Sequence, residues 1–446
     1  MSKIEVNTVD VQCGSTLTLG SSGKTVTLAS GASQSGFGRT GTVDWVTTVQ
    51  TSGFTAANGK GYFVNTTSGA ITVNLPAGSA GDIVAFKDYA NTWDTNEVTI
   101  SPNGSDKIGG TNANTLLSTE SQSVTLIFVD STKGWLDVHD STSNVQGAAF
   151  ITATGGTITT VCTNYKVHTF TGPGTFTVCS VGNPAGSDSV SYTVVAGGGG
   201  GGGSVSGTNG GAGGGGAGGF REGRTPQCNS WTASPIACTS GPNAGLPVSA
   251  QGYPITVGGG GGGNSADKGT SGNNSIFSTI TSAGGGGAGG RSPADPGGCG
   301  ADGGSGGGSG HGSTGSARPG GTGNTPPVSP PQGNDGVGFS SSGGGGGGGA
   351  TAAACGQTGG AGATSSINGT PTARAGGGGG GSGPAGDGTG GAGGGGPGEG
   401  TSGQTGTAGT TNTGGGGGGS GNASGSPNIT GGSGGSGIVI IRYRFQ

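Results

Sequence analysis

Apolar and polar positions alternate in short runs between residues 42 and 138: Gly61–Asn65 (GYFVN), Ala70–Leu75 (AITVNL), Asp82–Lys87 (DIVAFK), Glu97–Ile100 (EVTI), Ser123–Val129 (SVTLIFV) and Gly134–His139 (GWLDVH). Alternation with period two turns one face of each run toward a core and the other toward water, which predicts half-buried strands. Gly, Pro, Asn and Asp turns separate the runs roughly every ten residues, the rhythm of a β-sandwich or small barrel. Trp45, Trp93, Trp135, Phe63 and Phe86 suffice for a small aromatic core. No segment has a convincing helical period. Upstream, Ser15–Ser33 holds two alternating runs, TLTL and TVTL, around a glycine turn. Isolated hairpins are marginal in water, so this one is expected to pair with another subunit or with the body of a neighbour, the alternative being an ordinary hairpin docked on the next domain.

Beyond residue 150 the pattern changes. A hairpin is predicted from Lys166–Phe170 and Thr175–Cys179 around Gly172-Pro173-Gly174. The run Ser189–Ala196 (SVSYTVVA) then feeds seven consecutive glycines, Gly197–Gly203, and Gly437 feeds a last apolar run, Ile438–Gln446 (IVIIRYRFQ). Between these brackets glycine blocks recur, most of them six or seven residues long, interrupted by YPITV (Tyr253–Val257) and SIFSTI (Ser275–Ile280). Gly/Ser-rich chain is normally a flexible coil. The β-prone brackets and the even block length argue instead for rods of one fixed thickness. The ordered conformation open to glycine is the left-handed extended helix, three residues per turn and about 3.1 Å per residue, whose amides must bond to neighbouring chains. A seven-residue block would span about 22 Å at that rise. No strict Gly-X-Y period runs through the region, so collagen is excluded.

The predicted fold class is therefore all-β: an N-terminal attachment or oligomerisation segment (1–40), a β-sandwich (41–146), a hairpin base (147–196), and a polyglycine-II domain (197–446) closed by a strand at 438–445. Pairing of Thr193–Ala196 with Ile438–Phe445 would put both ends of the glycine region at one base and its inserts at the opposite tip.

Composition narrows the function classes. Glycine makes up 120 of 446 residues, only 28% of residues are hydrophobic, and no single large core is possible. Charged residues amount to 8% with a net charge of −4, which gives no electrostatic case for nucleic acid or an anionic membrane. No apolar run approaches the length of a membrane span, about 20 residues, and the start MSKIEVNTVDVQ lacks the apolar stretch of a secretory signal, so synthesis in a cytoplasm is expected. The seven cysteines form no C-x-x-C pair. Cys162 with Cys179, and Cys228 with Cys238, are the disulfide candidates, against the alternative of small buried thiols.

No constellation of catalytic or metal-binding residues stands out, and no cofactor is expected. His139, His168 and His311 are dispersed. His139, beside Asp137 and Asp140, reads as a solvated turn, and His168, alternating with Lys166, reads as exposed. Matches to G-x-G-x-x-G carry no weight in so glycine-rich a chain. What remains is recognition by loops on a rigid scaffold. The insert Phe220–Tyr253 offers Arg221, Arg224, Trp231 and Tyr253, and Arg291–Phe339 offers Asp295, His311, Arg318 and a Pro-rich run, Thr325–Gln332. Aromatics for stacking, with Arg for hydrogen bonding, suit a glycan or an outer-membrane protein loop. The competing reading is packing over rod ends.

The succession NYKVHTFTGPGTFTV, SYTVVAGGGGGGG, QGYPITVGGGGGG, NSIFSTITSAGGGGAGG and GGSGIVIIRYRF resembles the glycine-rich C-terminal domain of bacteriophage tail-fibre proteins, those of marine and cyanobacterial phages especially. The run GYFVNTTSGAITVNLPAGSAGDIVAFKDY resembles a β-domain common in phage tail proteins. The resemblance implies a packed sandwich of glycine helices with host-contacting loops at its far end, on a virion protein that trimerises or binds other tail proteins. A self-assembling extracellular filament is the alternative. An ice-binding glycine-helix protein would need a flat, regular Thr or Ala face, and a depolymerase has no residues to support it.

Overall fold

The structure, a computed structural model, describes residues 43–141, 148–182, 186–206, 210–241, 244–265, 267–291, 298–312, 318–338, 343–382, 387–400, 403–422 and 427–446. The hairpin expected within residues 1–40 lies outside them. The chain divides into two compact units, Met1–Val145 and Gln146–Gln446. Both are built from strands and extended segments, and the fold is all-β. Among the described residues the helical content is one 3-10 turn, Pro226–Cys228.

In the first unit β1 (Asp44–Gln50), β2 (Phe54–Thr55), β3 (Lys60–Val64), β4 (Ile71–Asn74), β5 (Ile83–Asp88) and β6 (Val98–Ser101) alternate between two sheets. One sheet runs β1-β3-β5 and the other β2-β4-β6, and all four pairings are parallel. The chain is thus wound in successive two-strand coils, a connectivity that alternation alone does not distinguish from a meander. Antiparallel strands finish it: β7 (Thr115–Leu117) joins β6, while β8 (Ser123–Asp130) and β9 (Gly134–Ser141) extend the β5 edge. Side chains from both sheets, among them Val64, Phe86, Val73, Ile100 and Trp135, form one core. Trp93 and Trp135 are fully buried within it, whereas Trp45 is half exposed against Phe63.

The second unit begins with β10 (Thr152–Thr154), β11 (Thr157–Val161), β12 (Tyr165–Phe170), β13 (Gly174–Ser180) and β14 (Ser189–Val195). It continues with β15 (Gly210–Gly211), β16 (Phe220–Gly223), β17 (Leu246–Pro247), β18 (Gly252–Thr256), β19 (Ser275–Phe277) and β20 (Ile280–Ser282). The last four are β21 (Ala363–Ser365), β22 (Thr372–Arg374), β23 (Gly421–Asn422) and β24 (Ile438–Arg444). One sheet has the order β11-β12-β24-β14-β16, with β17 on β14; its companion runs β10-β13-β18-β19-β20. The predicted pairing of Thr193–Ala196 with the final strand is present: β14 and β24 are antiparallel, Val195 opposite Ile438. The predicted hairpin is not. β12 has both its edges occupied by β11 and β24, and β13 pairs with β10 and β18, so the Gly-Pro-Gly turn crosses between sheets. Phe170 and Phe176, on either side of that turn, meet in the core between the sheets. The β24 sheet is covered on its other face as well, by Phe220, Trp231 and Ile367 against Ile438 and Ile440. Burial on both faces explains why IVII, Ile438–Ile441, is continuously apolar rather than alternating.

Between these sheets and the opposite end of the unit run the glycine segments. The first shows their order. Gly197, Gly200 and Gly203 donate to the carbonyls of Asn273, Thr270 and Asp267; Gly198 and Gly201 to Gly435 and Gly432; Gly199 and Gly202 to Gly216 and Gly213. Its carbonyls accept from three further segments in the same cycle: from Gly285, Ala288 and Arg291, from Gly261 and Asn264, and from Gly417 and Ser420. Partners repeat every three residues, six segments surround one, and each amide and carbonyl of the rod is satisfied at 2.8–3.4 Å. A core made of backbone meets the requirement that buried peptide groups be paired.

Candidate functional site

The direction of each rod decides which inserts share an end. Gly197–Gly203 runs outward from β14, and the next rod returns antiparallel to it, Gly199 bonding to Gly216 and Gly202 to Gly213. The segment after that return, Phe220–Tyr253, therefore lies at the sheet base and not at the far end, which corrects the expectation that the inserts gather at the tip. Crossings of a fixed thickness alternate, so the parity of the glycine blocks carried this information in the sequence.

At the base the first insert is consumed in packing. Arg221 sits on β16 opposite Val194, and its guanidinium donates to the Thr281 carbonyl at 3.4 Å. Arg224 donates to the Trp231 carbonyl at 3.0 Å, and the Trp231 indole donates to the Cys228 carbonyl at 2.8 Å. Trp231 and Tyr253 are buried in the two cores that flank the β24 sheet. Glu222, also buried, accepts from the Thr193 hydroxyl at 2.8 Å and the Ser234 amide at 2.6 Å. Fully buried Arg442 donates to the Ile367 carbonyl and Ser230 Oγ, and stacks 4.6 Å from the centre of the Tyr165 ring. The Pro-rich run belongs to this end too, for the Phe220 amide donates to the Gln332 carbonyl.

The candidate disulfides are open. Cys162, Cys179, Cys228 and Cys238 are all free thiols. Cys162 lies in the β11–β12 turn and Cys179 on β13, in different sheets. Burial pushes the Cys228 thiol up, partly offset by the Arg442 charge, and Cys238 Sγ donates to the Ser240 carbonyl at 3.1 Å. His168 is fully buried, contrary to the exposed position predicted for it. Its Nδ1 pairs with the Gly155 carbonyl at 2.7 Å and its Nε2 with the Tyr443 hydroxyl at 3.1 Å, because its face of β12 looks into the inter-sheet core. Burial holds its pKa below the ordinary imidazole value.

At the far end the residues brought together are Arg291, His311 and Arg318; Asp295 lies outside the described residues. Ser204 bridges to Arg291 and Ile429, and β15 pairs with β23 beside them. Arg291 donates to the His311 carbonyl at 3.2 Å. Both arginines are more than nine-tenths buried, and Arg291 Nε and His311 Nδ1 have no partner among the described residues. Burial and the Arg318 charge lower the Arg291 pKa, and burial together with both guanidiniums lowers that of His311. The cluster favours an anion over a cation. Arg291 was missed in the sequence because it reads as the end of a glycine block. Among the described residues no three His, Cys, Asp or Glu are grouped to hold a metal ion, and no helix is long and apolar enough to cross a membrane.

Residues 169–444, well over half of the sequence, match the family described as glycine-rich domain. The chain belongs to the glycine-rich domain family. Upstream of that domain, residues 18–140 match the N-terminal part of bacteriophage T4 gp9/10-like proteins. The chain is also similar to baseplate wedge protein gp10 of Enterobacteria phage T4, with 39% identity over 71 residues, 15% of this chain and 12% of that relative. The match thus spans about an eighth of the relative's length. The two matches, ending at residue 140 and beginning at residue 169, fall on either side of the division between the two compact units.

Proposed function

We propose that this chain is a structural protein of a phage virion, tail-fibre-like, whose N-terminal part trimerises or attaches to other tail proteins and whose glycine rods carry host-binding loops. The rods are read as polyglycine-II helices. Their three-residue cycle of hydrogen-bond partners supports this, since a helix with three residues per turn directs successive amides to different neighbours. The attachment role rests on one observation: at the end of a rigid backbone array away from the sheets, Arg291, His311 and Arg318 come together as a buried cationic cluster. Loops on rigid scaffolds are the usual carriers of recognition, and weak contacts repeated on several copies sum to firm adhesion.

Of the sequence candidates, this reading keeps His311 and Arg318, adds Arg291, and gives Arg221, Arg224, Trp231 and Tyr253 structural roles. The partner would be an anionic group of a surface glycan or an outer-membrane protein. No chemical step is assigned to the chain. Purified full-length protein should compete with the phage for adsorption to its host cells. A His311→Ala/Arg318→Ala variant with unchanged melting temperature should compete at least tenfold less well. Failure of the parent protein to compete, or equal competition by the variant, overturns the reading.

One feature supports the alternative, a self-assembling filament. β11 (TITTV) is an edge strand whose outer side pairs with nothing among the described residues, and Ile158 on it is exposed. Uncharged open edges template pairing between chains. Electron microscopy of the purified protein separates the two readings: discrete short rods with a knob support attachment, and long filaments formed by this chain alone support assembly.

A further inference from the structure

The first unit contains a second feature that the tip reading does not use. A cleft of about 410 Å³ opens where the β7 edge of one sheet faces β8 and β9 of the other. Its volume lies within the range of small-ligand sites, about 300–1,000 Å³. Ile108, Leu117, Val124 and Leu126 form an apolar floor, and Leu116, 54% exposed, stands at its mouth. Acceptors come from Gln122, Asp137 and Asp140, and among the described residues no Lys, Arg or His lines the cleft.

Two details indicate that these acceptors are arranged and not incidental. Asp137 and Asp140 are three residues apart, so a regular strand would send them to opposite faces. The β8–β9 register slips between them: Leu126 faces Asp137 but Thr125 faces His139, leaving Val138 as an extra residue. That bulge brings Asp140 to the side of Trp135 and Asp137, and bulges commonly re-aim side chains in this way. Further, two lining residues hold buried polar atoms without a partner, the donor Trp135 Nε1 and the acceptor Gln122 Oε1. A buried polar atom left unpaired is costly, and a ligand that pairs it recovers that cost. The Gln122 amide nitrogen meanwhile donates to Asp140 at 3.2 Å, fixing the two acceptors side by side.

We propose that this cleft binds a neutral saccharide. A sugar ring offers a C–H face for the apolar floor and hydroxyl donors for the two carboxylates and the Gln122 oxygen. Its ring and hydroxyl oxygens are acceptors that the Trp135 indole lacks. The described lining offers two carboxylates and no cation, which favours a neutral sugar over an acidic one. Two carboxylates with no third ligand beside them among the described residues do not make a metal site.

The test applies the full-length chain to an array carrying neutral and acidic glycans, in three forms: parent, Asp137→Asn/Asp140→Asn and His311→Ala. Both aspartates are exposed, so the double variant keeps the fold. The expected result is retention on neutral glycans by the parent and by the His311→Ala chain, and at least tenfold weaker retention of the double variant. In solution, the best-retained saccharide should shift one indole N–H resonance, the one missing from a Trp135→Phe chain. Should Trp135→Phe not fold, the double variant alone decides. Retention on acidic glycans only, no retention, or equal retention of the double variant each overturns the proposal. Retention lost only in His311→Ala assigns the binding to the tip instead.

Discussion

At the scale of single residues, a glycine in the rods is defined by what stands where its side chain would be. A Cβ on Gly199 would overlap the Gly286 carbonyl, and one on Gly201 the Gly418 carbonyl, both main chain that cannot rotate aside. Gly172, in the turn between the sheets, has nothing within 4 Å of that position. Gly201→Ala should therefore destabilise the second unit by about 3 kcal/mol or more, at or above the upper end of ordinary overpacking. Gly172→Ala should be neutral or stabilise by up to about 1 kcal/mol through the unfolded chain. Denaturant titration of both variants measures the contrast; similar losses would mean that glycine is needed for flexibility and not for space. His168 makes a second residue-scale prediction. Its folded pKa is lowered by burial, so the unfolded chain binds the proton more readily. Stability should be greatest above the ordinary imidazole pKa of about 6.5 and fall as pH drops below it. Melting temperature followed from pH 8 to 5 should show that decline, and it should be blunted in His168→Gln.

At the scale of elements, the last strand holds the second unit together, because β24 is central in its sheet with cores on both faces. Ending the chain at residue 437 should abolish the cooperative unfolding of the second unit and leave that of the first, as seen by calorimetry. Trp231→Ala should lower stability by about 3–5 kcal/mol, the usual cost of emptying a buried tryptophan site. A selective loss of host adsorption by that variant, with its melting temperature unchanged, would return Trp231 to the recognition surface. The pairing of β14 with β24 was legible in sequence because two uninterrupted apolar runs bracketing a glycine region have few other partners. The β12–β13 crossing was not, since a Gly-Pro-Gly turn reads alike whether its flanking strands pair or part. His168 was misread for the same reason: alternation with Lys166 gives a face, but not which sheet covers it. The tip cluster was half legible. His311 and Arg318 interrupt glycine as isolated polar side chains, whereas their meeting with Arg291 depends on three rods ending together.

At the scale of the whole molecule, the two units hide different surfaces from water. The first buries apolar side chains between two sheets, whereas the second adds to its apolar cores a large array of glycine-rich main chain hydrogen-bonded to main chain. Exposing apolar surface raises the heat capacity on unfolding, and exposing polar surface lowers it. The glycine unit should therefore unfold with a heat-capacity increment well below the usual 12–15 cal/mol/K per residue, about that value being expected for the first unit. A small increment flattens the stability curve, so the second unit should lose little stability on cooling and should melt last on heating. Urea acts on peptide groups as well as apolar ones. The denaturant slope of the second unit should then stay near that expected for its size, even as its heat capacity falls short. Calorimetry and urea titration of the full chain measure both quantities. A normal heat-capacity increment for the second transition would mean that the rods are held by their flanking apolar sheets, with the backbone array following and not leading.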